Sequence, residues 1–268
     1  MSEDVTRADV CAVAIAEAFR GDGERLCNPI GNLPLLGGRL AAATFEPYLA
    51  LTDGYYTLMD PQSADEVPPI GLPEDERVRQ RTVAHWNPYR EMFGLLWQGK
   101  RHVMMGATQV DRHGNQNISA IGDFAQPKRQ LLGSRGAPGN TVNNRTSYWV
   151  PKHSARVFVE QVDIVSGVGP RRAKEAGVAA SRFNDIHRIV TNLAVLDVNG
   201  PDDTVRLLSV HPGVTVEEVV EATGFTLDVP ADVPTTREPT YEELVIIREM
   251  LDPKGMRFRE VPQPEAAR

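Results

Sequence analysis

Eight residues, Gly133-Ser134-Arg135-Gly136-Ala137-Pro138-Gly139-Asn140, set three glycines and one permanent cation directly after the apolar run Arg129 to Leu132. Glycine admits positive φ and close approach, so such a loop can turn backbone N–H groups onto a phosphate, a carboxylate or a developing oxyanion. Gly133, Ser134, Gly136, Gly139 and Asn140 are therefore candidate substrate- or oxyanion-binding residues, and Arg135 a candidate catalytic one. The same composition also suits a plain surface turn. No Gly-Lys-Ser/Thr follows, and no acid lies about 20 residues on at a second strand end, so neither a Walker loop nor a dinucleotide fingerprint is present.

Asp53 is the other catalytic candidate. It follows the short apolar run Tyr48 to Thr52, so it can present a carboxylate at a strand end as nucleophile or general base. Asp53-Gly54 is equally an ordinary turn dipeptide. Asp111-Arg112-His113-Gly114-Asn115 reads as an architectural tight turn. The six histidines, His85, His102, His113, His153, His187 and His211, share no ligand spacing, so no metal is expected. A Gly-x-Ser-x-Gly elbow is absent, and Cys11 and Cys27 sit in structural contexts, which disfavours a self-contained serine or cysteine hydrolase.

The elements that must position these residues are legible from caps and periodicity. Thr6 with Asp9, Thr215 with Glu218 and Thr240 with Glu243 open three capped helices. Further helices are expected over 32–43, with Pro34 near the start, and from Asn87-Pro88 to about Gln98. Strands are expected over 101–107, 129–132, 155–160, 162–165, 186–198 and 204–210, with Gly200 to Asp203 turning a hairpin. Residues 60–84, rich in proline and acids, read as an irregular excursion. Strands alternating with helices give an α/β fold with an open, mostly parallel, doubly wound sheet. One domain is expected over 1–252, with a loosely ordered tail over 253–268.

With 41% hydrophobic residues among 268, the chain can bury a sizeable core. A net charge of -7, with basic residues scattered, disfavours nucleic acid as a partner. No stretch approaches the roughly 20 apolar residues of a membrane span, and the acidic start Met-Ser-Glu-Asp-Val has no leader pattern. A cytoplasmic protein is expected.

Several segments, taken in order, resemble β subunits of family I CoA-transferases of the glutaconate type. They are Gly106 to Asp111 with Gly114 to Asn117, the loop Gly133 to Asn140, Val159-Glu160, Arg188 to Asn192, His211 to Thr215 and Thr223 to Phe225. The likeness spans roughly 6–252 and implies a CoA-transferase fold, an α partner in an α2β2-like assembly, and an active site between the chains. In transferases of this family a β-subunit glutamate attacks the thioester, and the matching position is Asp53. Aspartate is one methylene shorter, and about 1 Å of displacement can cost on the order of a hundredfold in rate. Ser134-Arg135 and Ala137-Pro138 also replace a more uniformly small glycine pattern.

Those departures are similar to one branch, the β subunits of actinobacterial steroid ring-cleaving hydrolases. Leu51 to Gly54, Arg101 to Gly106, Gln109 to Arg112, Asn115 to Ser119, Pro138 to Thr141, Thr146 to Val150 and Arg156 to Glu160 carry that resemblance, whereas Tyr55-Tyr56 and 61–83 depart from it. It implies an acyl-CoA substrate, with CoA as part of the substrate and no separate cofactor, hydrolytic C–C cleavage, and a catalytic glutamate on the α subunit. Transfer with Asp53 as nucleophile, and a non-catalytic binding subunit, are the other two expectations.

Overall fold

The computed structural model describes residues 5–52, 56–58, 70, 83–88 and 90–263. Helix α1 (Arg7–Ala18) starts at the expected capping box. Thr6 Oγ1 accepts from the Asp9 amide at 3.2 Å, and Asp9 Oδ2 accepts from the Thr6 amide at 3.0 Å. Helix α2 (Asn32–Thr44) packs against it closely enough that a Cβ on Gly37 would lie 2.3 Å from Ile15 Cγ2. Glycine at that crossing is a steric requirement, since overfilling a packed interface forces backbone to move.

The strands are β1 (Leu26–Pro29), β2 (Ala50–Leu51), β3 (Tyr56–Leu58), β4 (Val83–Trp86), β5 (Arg101–Gly106), β6 (Gln109–Asp111) and β7 (Gln116–Asn117). They continue with β8 (Ala120–Ile121), β9 (Arg129–Gln130), β10 (Arg145–Val150), β11 (Phe158–Val159), β12 (Asp185–Thr191), β13 (Ala194–Asp197) and β14 (Arg206–Val210). Seven form the main sheet in the order β14-β13-β12-β10-β5-β1-β2. From β2 to β12 neighbours are parallel; β12, β13 and β14 meander antiparallel. The outer side of β14 is taken by the returning chain. Leu207 N donates to Asp228 O at 2.9 Å, Val210 N to Pro234 O at 3.1 Å, and Thr236 N to Val210 O at 2.7 Å.

Side chains alternate across the strands. Met104 and Trp149 face α1 and α2 with Ile15 and Leu36, whereas Val103, Met105, Tyr148 and Ile189 face Phe158, Val219 and Phe225. Helical segments on both faces make the α/β, doubly wound sheet that the sequence predicts.

Three local expectations differ. Arg129 and Gln130 are exposed and pair only with β8, so the run before the glycine loop is an outlying ribbon with no place in the main sheet. Residues 162–165 form no strand, and 186–198 is a tight hairpin of two strands broken at 192–193. The apolar content of these runs serves packing and turns instead.

The chain after Pro253 is tied down as far as 263, against the expected loose tail. Arg257 Nε lies 3.0 Å from Asp9 Oδ1 and Arg257 Nη1 2.9 Å from Asp252 Oδ2. Glu260 accepts from the amides of Asn32 at 2.7 Å and Leu33 at 3.2 Å, and from Trp149 Nε1 at 2.8 Å. A carboxylate thus caps α2, whose Gly31 N-cap has no side chain to do so.

Candidate functional site

The glycine loop lies against the face of the sheet that carries Val103 and Met105. Gly133 takes a positive φ of 87° and spends its N–H on Ile118 O at 3.1 Å. Ser134 Oγ meets Ser119 Oγ at 2.9 Å, which in turn meets Ser166 Oγ at 2.7 Å, so its hydroxyl anchors the loop. Arg135 is exposed with φ 46°, a strained conformation for a residue with a Cβ. Among the described residues, the N–H groups of Ser134, Arg135 and Gly136 have no hydrogen-bond acceptor. Three successive free amides at a bend are the kind of backbone that can turn onto an anion.

Gly136 and Gly139 do a different job. A Cβ on either would fall 3.2 Å or 3.1 Å from the side chain of Leu96, so both are small in order to seat the turn Leu95–Trp97. Asn140, in the helix Ala137–Asn143, is buried with Nδ2 3.5 Å from Met105 Sδ, and its Oδ1 has no partner. Asp53 lies outside the described residues. Its predecessor Thr52 is buried at the end of β2, where its carbonyl accepts from Asn28 Nδ2 at 3.0 Å.

The turn after β6 is architectural, as its composition implies. Asp111 Oδ1 accepts from the amides of His113 and Asn115, each at 3.0 Å, and Gly114 takes φ 71°. Asn115 Oδ1 then accepts from Gly169 N at 2.8 Å, and Tyr148 Oη donates to Gly114 O at 3.2 Å.

Two arrangements escape a linear reading. His102 Nδ1 lies 2.5 Å from Asp22 Oδ2, and His102 Nε2 lies 2.8 Å from Ser147 Oγ. That is the connectivity of a hydrolytic triad. His102 and Ser147 are 0% exposed, however, and Asp22 is also held by Arg145 at 3.1 Å and Arg25 at 3.4 Å. Burial outweighs Asp22 and pushes the His102 imidazole below its ordinary value. With no route for a substrate, this cluster is structural. The second is Arg101, buried beneath Asn28, whose guanidinium burial lowers to about 10.

Among the described residues no three His, Cys, Asp or Glu side chains cluster as a metal would need. Cys11 and Cys27 are both buried and unpaired, and burial pushes the Cys11 thiol up to about 12, far from a reactive thiolate.

The loop thus reaches the main sheet through Asn140 and Met105 of β5. The family model described as Coenzyme A transferase matches residues 82–222. The chain belongs to the coenzyme A transferase family. It is 49% identical, over 96% of its length and 97% of the relative's, to the cholesterol ring-cleaving hydrolase IpdB subunit of Rhodococcus jostii (strain RHA1). The crystal structure of Rhodococcus jostii RHA1 IpdAB superposes with a TM-score of 0.87 at the same identity, covering 96% of this chain and 99% of that one. One of the subunits of the 3-oxoadipate CoA-transferase of Pseudomonas knackmussii is 29% identical over 88% of this chain and 90% of its own. Membership of the coenzyme A transferase family, and the fold with it, thus agree with the resemblance read from the sequence.

Proposed function

We propose that this chain is the β subunit of a two-subunit hydrolase, paired with an α chain in an α2β2-like assembly, that opens a ring of a steroid-derived CoA thioester. The observation that carries this is the near-full-length 49% identity to a cholesterol ring-cleaving hydrolase subunit, against 29% for a CoA-transferase subunit. The replacement of the transferase glutamate by Asp53 supports the same choice.

In the proposed reaction a base on the α subunit takes a proton from water, and the water oxygen bonds to a ring ketone carbon. The tetrahedral oxyanion collapses, the C–C bond breaks with its electron pair leaving as an enolate, and a proton returns to that carbon. A carboxylic acid results and the thioester stays intact, so CoA is part of the substrate and no separate cofactor is called for. The free amides of Ser134, Arg135 and Gly136, with the Arg135 guanidinium, are our candidates for stabilising the oxyanion. Gly133, Gly139 and Asn140 shape the pocket, and Asp53 orients water or a cation. None of the described helices is long and apolar enough to cross a membrane, in keeping with our proposal of a cytoplasmic enzyme.

The test is to co-express the chain with its α partner and to offer a panel of acyl-CoAs with and without an acid acceptor, following products by mass. Ring-opened product without acceptor is expected, with Arg135→Ala lowering kcat on the order of a hundredfold. The 29% likeness to a transferase favours one second reading, CoA transfer with Asp53 as nucleophile. It predicts acyl exchange and an enzyme–CoA thioester at Asp53 that hydroxylamine traps.

A further inference from the structure

A cavity of about 500 Å³ lies beneath the last turns of α1, on the sheet face opposite the glycine loop. Two irregularities of strand pairing build its floor. Between β10 and β12, Thr146 pairs with Ile186 and Tyr148 with Ile189, so two residues, His187 and Arg188, stand opposite the single Ser147. Between β13 and β14, Val195 pairs with Ser209 and Leu196 with Leu207, so Leu208 is an extra residue. In a regular strand, one of any two successive residues turns to the far face. Here Ile186 and Ile189, and likewise Leu207 and Val210, belong to the cluster around Phe158 and Phe225, while both residues between them in each strand line the cavity. A bulge gives up ladder pairing in order to re-aim side chains, and two bulges converging on one cavity make it a built site.

The charges of its lining do not balance. Glu17 is held by Arg20 and by Arg237, each at 2.6 Å, and Arg237 also grips Glu243 at 2.7 Å. Arg188 is the third cation of the lining, and among the described residues it forms no ion pair. The acids whose charge reaches it are taken, Asp185 by Arg145 at 2.8 Å and Asp197 by Arg206 at 2.7 Å. Burial holds the Arg188 guanidinium below its ordinary value, as expected of a cation short of water and of a bonded carboxylate. Its Nη1 donates to His187 O at 2.7 Å, which leaves the Nε–Nη2 edge for both oxygens of a carboxylate. Ser209 Oγ and Thr236 Oγ1 satisfy each other at 2.6 Å, whereas among the described residues the His187 ring and the Thr235 hydroxyl make no hydrogen bond. Ala14, Ala18, Val195 and Leu208 supply apolar wall. One uncommitted cation beside apolar wall suits a monoanion with an apolar body, and a phosphate dianion would lack a second free cation. The volume falls in the range of small-molecule pockets, about 300 to 1,000 Å³.

We propose that this cavity binds an organic monocarboxylate, with the acid group on Arg188 and the apolar end against Ala14, Ala18 and Leu208. The site rests on the two bulges and the uncommitted guanidinium, and stands whichever reaction the assembled enzyme performs.

Calorimetric titration of the assembled α/β complex with hexanoate tests it, in wild type, Arg188→Gln and Ser209→Phe. Hexanoate should bind the wild type and lose at least tenfold in affinity in Arg188→Gln, which keeps a donor for His187 O. Ser209→Phe keeps the cation but fills the space beside it, and should lose as much. On the wild type, butyrate should bind about tenfold more weakly than hexanoate, since each methylene is worth about fourfold. No hexanoate binding, equal affinity in wild type and Arg188→Gln, or inorganic phosphate bound more tightly than hexanoate through Arg188 would overturn the proposal. Crystals of the wild-type complex soaked in 6-bromohexanoate decide the matter even if neither variant assembles. Anomalous scattering should place bromine beside Ala18 and Leu208; bromine found only elsewhere would overturn the site.

Discussion

Glu260→Ala isolates the contribution of the C-terminal segment. The substitution removes the acceptor for two α2 amides and leaves Trp149 Nε1, on a side chain only 3% exposed, with no partner. Loss of a side-chain helix cap costs about 1 kcal/mol, and an orphaned buried donor about 1 to 3 kcal/mol. Together they amount to about 2 to 4 kcal/mol, or a fall in Tm of roughly 4 to 8 °C for a chain of this size. Glu260→Gln keeps an acceptor oxygen and loses the charge at the helix end, so its fall should be roughly half as large. Thermal unfolding of the α/β complex at pH 7, followed by circular dichroism, measures both. An alanine variant melting within 1 °C of wild type would refute the reasoning, because it would mean that the tail merely rests on α2.

Three further outcomes are expected. Burial holds His153 down to about 3 and His187 and His211 to about 4, against an ordinary 6.5, so the unfolded chain takes up protons that the fold refuses. Stability should be full above about pH 6.5 and drain as pH falls toward 4; an unfolding midpoint unchanged from pH 7 to pH 5 would contradict this. Gly169→Ala would set a Cβ 2.0 Å from His113 O, a backbone atom that cannot yield, and should cost about 3 kcal/mol or more, visible as lost soluble complex. Ser147→Ala should leave turnover intact and Asp22→Asn should lower the melting temperature; a Ser147→Ala enzyme without activity would show that the buried His102 cluster does chemistry after all.

What could be read from the sequence follows the range of the interactions involved. The capping boxes at Thr6, Thr215 and Thr240 each close within three residues, and all three form as expected. The Asp111 turn is equally local. By contrast, His102 finds Asp22 from 80 residues away and Ser147 from 45, and Arg101 finds Asn28 from 73, distances that no spacing rule covers. The glycine loop shows the opposite failure. Its composition was legible, yet Gly136 and Gly139 answer to the bulk of Leu96, a residue some 40 positions earlier. The tail after Pro253 has few apolar residues and reads as loose, but its order comes from Arg257 and Glu260 reaching α1 and α2.

The chain that returns alongside β14 has a consequence for how this protein can associate. A bare sheet edge is an adhesive strip, open to any extended segment that supplies matching amides and carbonyls. Here the N–H groups of Leu207 and Val210 and the carbonyl of Val210 are already engaged by residues 228–236. No neighbour can extend the seven strands from that side into a shared, continuous sheet. Contacts with a partner made there have to use side chains, which carry address information, and cannot rely on backbone pairing, which carries none.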